Sequence, residues 1–163
     1  MRLTLPILVI SFVVLAGTAA TAPAQVTEGH GHKIVTPQEI KWGPAPPALP
    51  AGAQLAVLHG DPAKAGLFVM RLKMPKGYQL PPHRHPPTEV VTVVSGTFRL
   101  GMGETADPSK AQALPAGSLF VMEPGTAHFA STDEETVVQI STNGPWDITY
   151  VNPKDDPRQQ KSQ

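Results

Sequence analysis

Over residues 66–77, GLFVMRLKMPKG, apolar and polar side chains alternate almost one for one. On an extended chain this puts Phe68, Met70, Leu72 and Met74 on one side and Arg71 and Lys73 on the other. Similar short runs rich in β-branched and apolar residues follow one another in AQLAVLHGD, TEVVTVVSGTFRLGMG, GSLFVMEPG, TAHFAS, ETVVQIST and WDITYVN, punctuated by Gly, Pro and Asp. No segment keeps a helical period for more than two turns; one short turn is predicted at TPQEI, with Thr36 capping and Pro37 first inside. Many short strands at this spacing predict an all-β sandwich or barrel.

The ends of the chain read differently. Arg2, the apolar run PILVISFVVLAG and the small residues closing at Ala22-Pro23-Ala24 have the pattern of a secretory signal peptide over residues 1–24. That run is shorter than the ~20 residues a membrane-spanning helix needs, so no stable membrane anchor is expected, and the mature chain is expected to be periplasmic or secreted. Residues 25–52 are dense in Gly, Pro and Ala and read as an N-terminal arm or linker that packs late. One domain, the barrel, is assigned to residues 53–153. The polar stretch 154–163, KDDPRQQKSQ, is expected to be a disordered tail.

Charge and cysteine content narrow the function. Thirteen basic side chains balance thirteen acidic ones, and no basic run interleaves with aromatics, which argues against a nucleic-acid partner. With no cysteine there is neither a disulfide nor a thiolate ligand to consider.

The chemistry concentrates in PPHRHPPTE. His83 and His85, at i and i+2, project from the same face of an extended strand, and the flanking prolines interrupt the regular ladder. Glu89 opens the next apolar strand and can return across a turn towards the rings, while His128 begins another strand after a tight turn. Taken singly, a strand histidine is most often solvated or hydrogen-bonded, and a glutamate at a sheet edge is ordinary. Three imidazoles and a carboxylate together form a ligand set that suits Fe, Mn, Ni, Zn or Cu.

These residues resemble the two motifs of the cupin superfamily, in particular its small single-domain bacterial members. The first motif runs Gly77-YQLPP-His83-Arg84-His85-PPT-Glu89-VVTVVS-Gly96 and agrees at every fixed position. The second runs Gly117-SLFVM-Glu123-Pro124-Gly125-TA-His128-FAS-Thr132; Glu123 stands where the family has proline, and Thr132 where it has asparagine. Glu123-Pro124-Gly125-Thr126 still suits a type II turn, while the loss of asparagine puts a supporting hydrogen bond in question.

The resemblance, over roughly residues 53–151, implies a double-stranded β-helix (jelly-roll) barrel and, in common with many small cupins, a homodimer. It also implies that His83, His85, Glu89 and His128 line its interior and hold one divalent metal ion. The expected activity is metal-dependent chemistry of dioxygenase, isomerase or decarboxylase type on a small oxygen-rich molecule, with Glu89 able to act as a base. Against it stand a metal or small-ligand binding protein without turnover, a barrel that keeps these side chains but works without metal or around an anion, and a purely structural β domain.

The remaining candidates are weaker. His30 and His32 repeat the His-x-His spacing among flexible glycines, where ordering entropy disfavours a tight site. His59 reads as a surface residue at a strand end. Tyr78, Gln79, Phe98, Phe129 and Trp146 could wall a pocket, and Met70, Met74, Met102 and Met122 suit core filling better than metal binding.

Overall fold

The structure, a computed structural model, describes residues 31–159. The signal peptide read over residues 1–24 and His30 lie outside the described residues, as do residues 160–163. The compact unit from Ile34 onward carries the strands. In chain order these are β1 Gly43–Pro44, β2 Gln54–His59, β3 Gly66–Met74, β4 Gln79–Arg84, β5 Glu89–Ser95, β6 Thr97–Met102, β7 Gln112–Pro115, β8 Leu119–Met122, β9 His128–Thr132, β10 Thr136–Gly144 and β11 Thr149–Tyr150. One sheet has the order β1-β2-β3-β10-β5-β8 and the other β11-β4-β9-β6-β7. All the pairings are antiparallel, and successive strands such as β4, β5 and β6 alternate between the sheets, which is the double-stranded β-helix expected from the motifs.

The alternation in the sequence sets which face is buried. Along β3, Phe68, Met70, Leu72 and Met74 are buried, and along β10 so are Val138 and Ile140, which lie opposite Leu72 and Met70. These inward side chains meet Leu80, Phe98, Ala130 and Tyr150 from the other sheet to form one core. At TPQEI the chain makes a single 3-10 turn, Pro37–Glu39, with the Thr36 backbone N–H donating to the Glu39 carboxylate at 2.7 Å.

Three strands go unrecognised in the hydrophobic pattern, one of them the two-residue β1 within the arm, which pairs with β2. In β4 the prolines suggest an interruption, and the pairing with β9 does skip there, resuming at His83 opposite His128. The chain stays extended because β11 pairs with it on the other side and the Pro82 carbonyl accepts from Val151 N–H. Strand β7 is short and mostly exposed, so it carries little apolar signal.

Residues 48–50 of the arm lie against the barrel: the hydroxyls of Tyr78 and Tyr150 donate to the carbonyls of Pro50 and Ala48, and Leu49 is buried in the core. The tail departs from expectation. Residues 154–159 are not a disordered extension of the barrel but fold onto it, beginning with a 3-10 turn at Pro153–Asp155. Apolar content missed this because the attachment is polar: Arg158 holds Asp156 through both carboxylate oxygens and donates to the Ile148 carbonyl at 3.0 Å.

Thr132, at the position of the family's asparagine, fastens the β3–β4 turn. Its buried hydroxyl donates to the Pro75 carbonyl at 2.7 Å and accepts from Tyr78 N–H at 3.2 Å. Replacing it with the isosteric Thr132→Val is expected to cost about 1–3 kcal/mol, the range for stripping partners from buried polar groups. Denaturant unfolding should show this loss, with the far-UV signature of the barrel retained.

Candidate metal centre

Neighbouring strands bring the motif residues to one point. His83 is the last residue but one of β4, His128 opens β9, and the two are direct cross-strand partners. His85 leaves β4 on the same side as His83, as the i, i+2 spacing predicts, and Glu89 is the first residue of β5. The turn before His128 has the expected form: Thr126 N–H donates to the Glu123 carbonyl at 3.1 Å, and Gly125 takes φ +72°. Gly125 N–H also donates to the His85 carbonyl at 2.9 Å, tying the two motifs together.

All four side chains are buried, from 1% exposed for His83 to 6% for His85. Ring centroids are 4.2 Å apart for His83 and His128, 4.9 Å for His83 and His85, and 5.4 Å for His85 and His128. Each ring is oriented by one backbone carbonyl. The Nδ1 atoms of His83, His85 and His128 lie 2.7, 2.8 and 3.0 Å from the carbonyl oxygens of Pro81, Asp147 and Thr126. A carbonyl oxygen only accepts, so Nδ1 carries the proton in each ring and Nε2 keeps a lone pair.

Burial makes the neutral ring the stable state, and the carbonyls select its tautomer. Desolvation holds His83 well below the ordinary histidine range, helped by repulsion from His128 and His85, and it also lowers His85 and His128. Neutral imidazoles are the form that binds metal. Candidate ligand atoms on the three histidines lie within 4.8 Å of one another. Nitrogens sharing an ion at about 2.1 Å sit about 3.0–3.4 Å apart in tetrahedral or octahedral arrangements, so the widest-spaced pair would draw together by about an ångström or more on binding. The donor chemistry and the orientation therefore fit a divalent metal.

Glu89 is adjacent but separately engaged. Its Oε2 lies 3.7 Å from His85 Nε2, and its Oε1 accepts the Trp146 indole N–H at 2.5 Å. Trp146 also stacks on the His85 ring, with centroids 5.1 Å apart and planes 20° from parallel. Burial pushes the Glu89 carboxyl up, against the opposing pull of the Trp146 hydrogen bond and His128. The cavity above these groups is walled by apolar side chains including Met70, Leu72, Val91, Phe98, Phe120 and Ile140. Its free space, 40 Å³ for the centres of water-sized spheres, suits an ion with one small ligand at ~10–15 Å³ per water.

The other candidates sort clearly. Phe98, Met70, Met74 and Trp146 line this cavity, whereas Tyr78 is spent on the arm. Phe129 is buried across Gly101, where an added Cβ would sit 1.9 Å from its ring. Met122 is buried, and Met102, Gln79, His59 and His32 are exposed. Sequence reasoning missed the carbonyls of Pro81, Thr126 and Asp147, because backbone acceptors leave no residue signature, and it saw no specific role for Trp146.

The ChrR Cupin-like domain family matches residues 30–147. Germin-like protein subfamily 2 member 1 of Arabidopsis thaliana is 32% identical over 94 residues, covering 57% of this chain and 42% of that protein. The chain thus spans less than half the length of this relative. Among solved structures, the polyketide cyclase RemF from Streptomyces resistomycificus superposes with a TM-score of 0.61 at 14% identity, over 82% of this chain and 94% of that one. An RmlC-like cupin from Ralstonia eutropha gives 0.59 at 20% identity, over 77% and 76%. At these identities the structures share the fold.

The sign of the Glu89 shift yields a test on metal-free protein. A carboxyl whose folded pKa is raised destabilises the fold once pH exceeds the unfolded value near 4.5, increasingly until the folded pKa is passed. Glu89→Gln, measured in the presence of a chelator, should therefore unfold at a higher temperature than the parent at pH 8. The difference should shrink as pH falls towards 4.5, and a constant difference across that range would contradict the assignment.

Proposed function

This chain belongs to the ChrR cupin-like family of cupins, and from that premise we propose that it is an exported, mononuclear metal-binding cupin acting on a small oxygen-rich molecule. The convergence of three outwardly anchored imidazoles carries this reading: His83, His85 and His128 have their Nδ1 atoms committed to carbonyls and their Nε2 atoms free to bind. These three would hold the ion, with Glu89 beside them as a further ligand or as a proton acceptor. A divalent ion there supplies Lewis-acid polarisation of a bound oxygen or activation of dioxygen or water.

The protein's own groups would do the rest. The apolar wall excludes bulk water, which strengthens the electrostatic influence of Glu89 on a bound substrate. Glu89, buried and with one oxygen on Trp146, would accept a proton through the other when a substrate carbon or hydroxyl lies within hydrogen-bond reach. A carboxylate, carbonyl or hydroxyl on the substrate would complete the site, in a reaction of dioxygenase, isomerase or decarboxylase type. The small free volume favours a second reading, a periplasmic metal or small-ligand binder without turnover.

Metal analysis of untagged protein from its native compartment should find one divalent ion per chain. His128→Ala should weaken binding by more than the 10–100-fold typical of losing only a supporting partner. Oxygen uptake or substrate loss in a metabolite mixture should then occur with the parent and not with His128→Ala. No difference over a broad panel, with metal still bound by the parent, would select the binder.

A homodimer is part of the proposal, supported by an apolar strip on the outer face at the β5–β8 edge. There Val90 lies opposite Val121, and Leu119 and Val94 are also exposed. Sedimentation of Leu119→Glu/Val121→Glu should show a monomer where the parent shows a dimer.

A further inference from the structure

Among the described residues, every side-chain N–H on the wall of the metal-site cavity is already committed. The lining side chains that carry one are His83, His85, His128 and Trp146. The imidazoles donate from Nδ1 to the carbonyls of Pro81, Asp147 and Thr126, and the indole donates to Glu89 Oε1. Tyr150 stands beside His83 with ring centroids 6.2 Å apart, but its hydroxyl turns to the Ala48 carbonyl at 2.8 Å. The rest of the lining is aliphatic, methionine or phenylalanine, Leu49, Met70, Val91, Phe98 and Ile140 among them. Strands β3, β5, β9 and β10, which carry much of that wall, each pair on both sides, so their backbone N–H groups are engaged in ladders.

What the cavity offers instead is acceptors, grouped at the histidines. They are the Nε2 lone pairs and Glu89 Oε2, which lies 3.7 Å from His85 Nε2. Beside a cation Glu89 is ionised and only accepts. An oxygen that enters can bind the ion or, as a hydroxyl next to it, donate to Glu89. Elsewhere in the cavity a carbonyl, carboxylate or hydroxyl would give up its water and meet only hydrocarbon and methionine sulfur. A hydrocarbon tail gains from the same wall. Met70 and Met74, unbranched and buried there, can shift to admit a short one.

We propose that the ligand of this centre is a short molecule with paired oxygens at one end, as in a 2-hydroxy or 2-oxo acid, and a tail of hydrocarbon alone. The paired oxygens grip the ion together, and the tail lies along the apolar wall. Sugars, polyols and other molecules with oxygens along their whole length are rejected. This deepens the metal-binding reading above, on which it rests, by confining the oxygens of the small molecule to its head.

Cobalt(II) serves as the probe metal, because its visible absorption changes when a ligand joins the ion and needs no turnover. The full chain is stripped of metal, reloaded with cobalt(II) in the absence of oxygen, and titrated with 2-hydroxybutanoate and with glycerate. The two acids share the same head and the same number of non-hydrogen atoms, and differ only in a terminal methyl against a terminal hydroxyl. Each affinity is divided by that of the same acid for cobalt(II) in buffer. 2-Hydroxybutanoate should come out tighter by about tenfold or more, the effect of sparing one buried hydroxyl without a partner. Equal affinities, or a preference for glycerate, would overturn the proposal by showing that the wall holds a polar partner for the tail. So would the absence of a spectral response to either acid while cobalt(II) stays bound. Failure of the chain to bind cobalt(II) at all is a different result, since it removes the metal-binding reading itself.

Discussion

Three hydrogen bonds from imidazole Nδ1 to backbone carbonyls organise the centre of this protein. A histidine in an apolar interior must place its ring N–H on an acceptor, and here the acceptors belong to main chain at Pro81, Thr126 and Asp147. With the outer nitrogen committed, the inner nitrogen of each ring has no option but to present its lone pair. Pro81 lies within β4, while Thr126 and Asp147 stand in the connections just before β9 and β11, so main chain orients the rings before any ligand arrives.

The two-sheet architecture explains how those carbonyls come to be in place. His83 and His128 are cross-strand partners in one sheet, while Glu89 opens β5 in the other, so the centre sits where the sheets face each other. The same enclosure that positions the groups also selects their charge. Burial drives the imidazoles neutral and opposes ionisation of Glu89, which gives a set of lone-pair donors beside a reluctant carboxylate.

Supporting roles fall to segments with little sequence character. Thr132 fills the place of the family's asparagine, but its hydroxyl is spent on the Pro75–Tyr78 turn rather than on the histidines, whose support comes from carbonyls. The C-terminal stretch, polar and without apolar pattern, uses Arg158 to brace Asp147 and Ile148, next to the carbonyl that orients His85. Trp146 spans both worlds, with a ring against His85 and an indole N–H on Glu89.

Much of this was already legible in the order of residues. Alternation in GLFVMRLKMPKG marks the buried face of β3, since side chains on a strand have a strict period of two, and the spacing of His83, His85, Glu89 and His128 identifies the candidate ligands, since it places three imidazoles and a carboxylate at or next to strand ends. Glu-Pro-Gly-Thr specifies its turn locally, because the backbone angles are properties of the residues themselves. Strand β4 through its prolines, the folding of residues 154–159, the tautomer of each ring and the tie between Trp146 and Glu89 were decided only in three dimensions. The tie between Trp146 and Glu89 spans 57 residues and that between His85 and the Asp147 carbonyl 62, whereas His83 and His128 find their carbonyls two residues away once the strands and turns are set. No local pattern encodes such a meeting; closing the barrel brings the partners together.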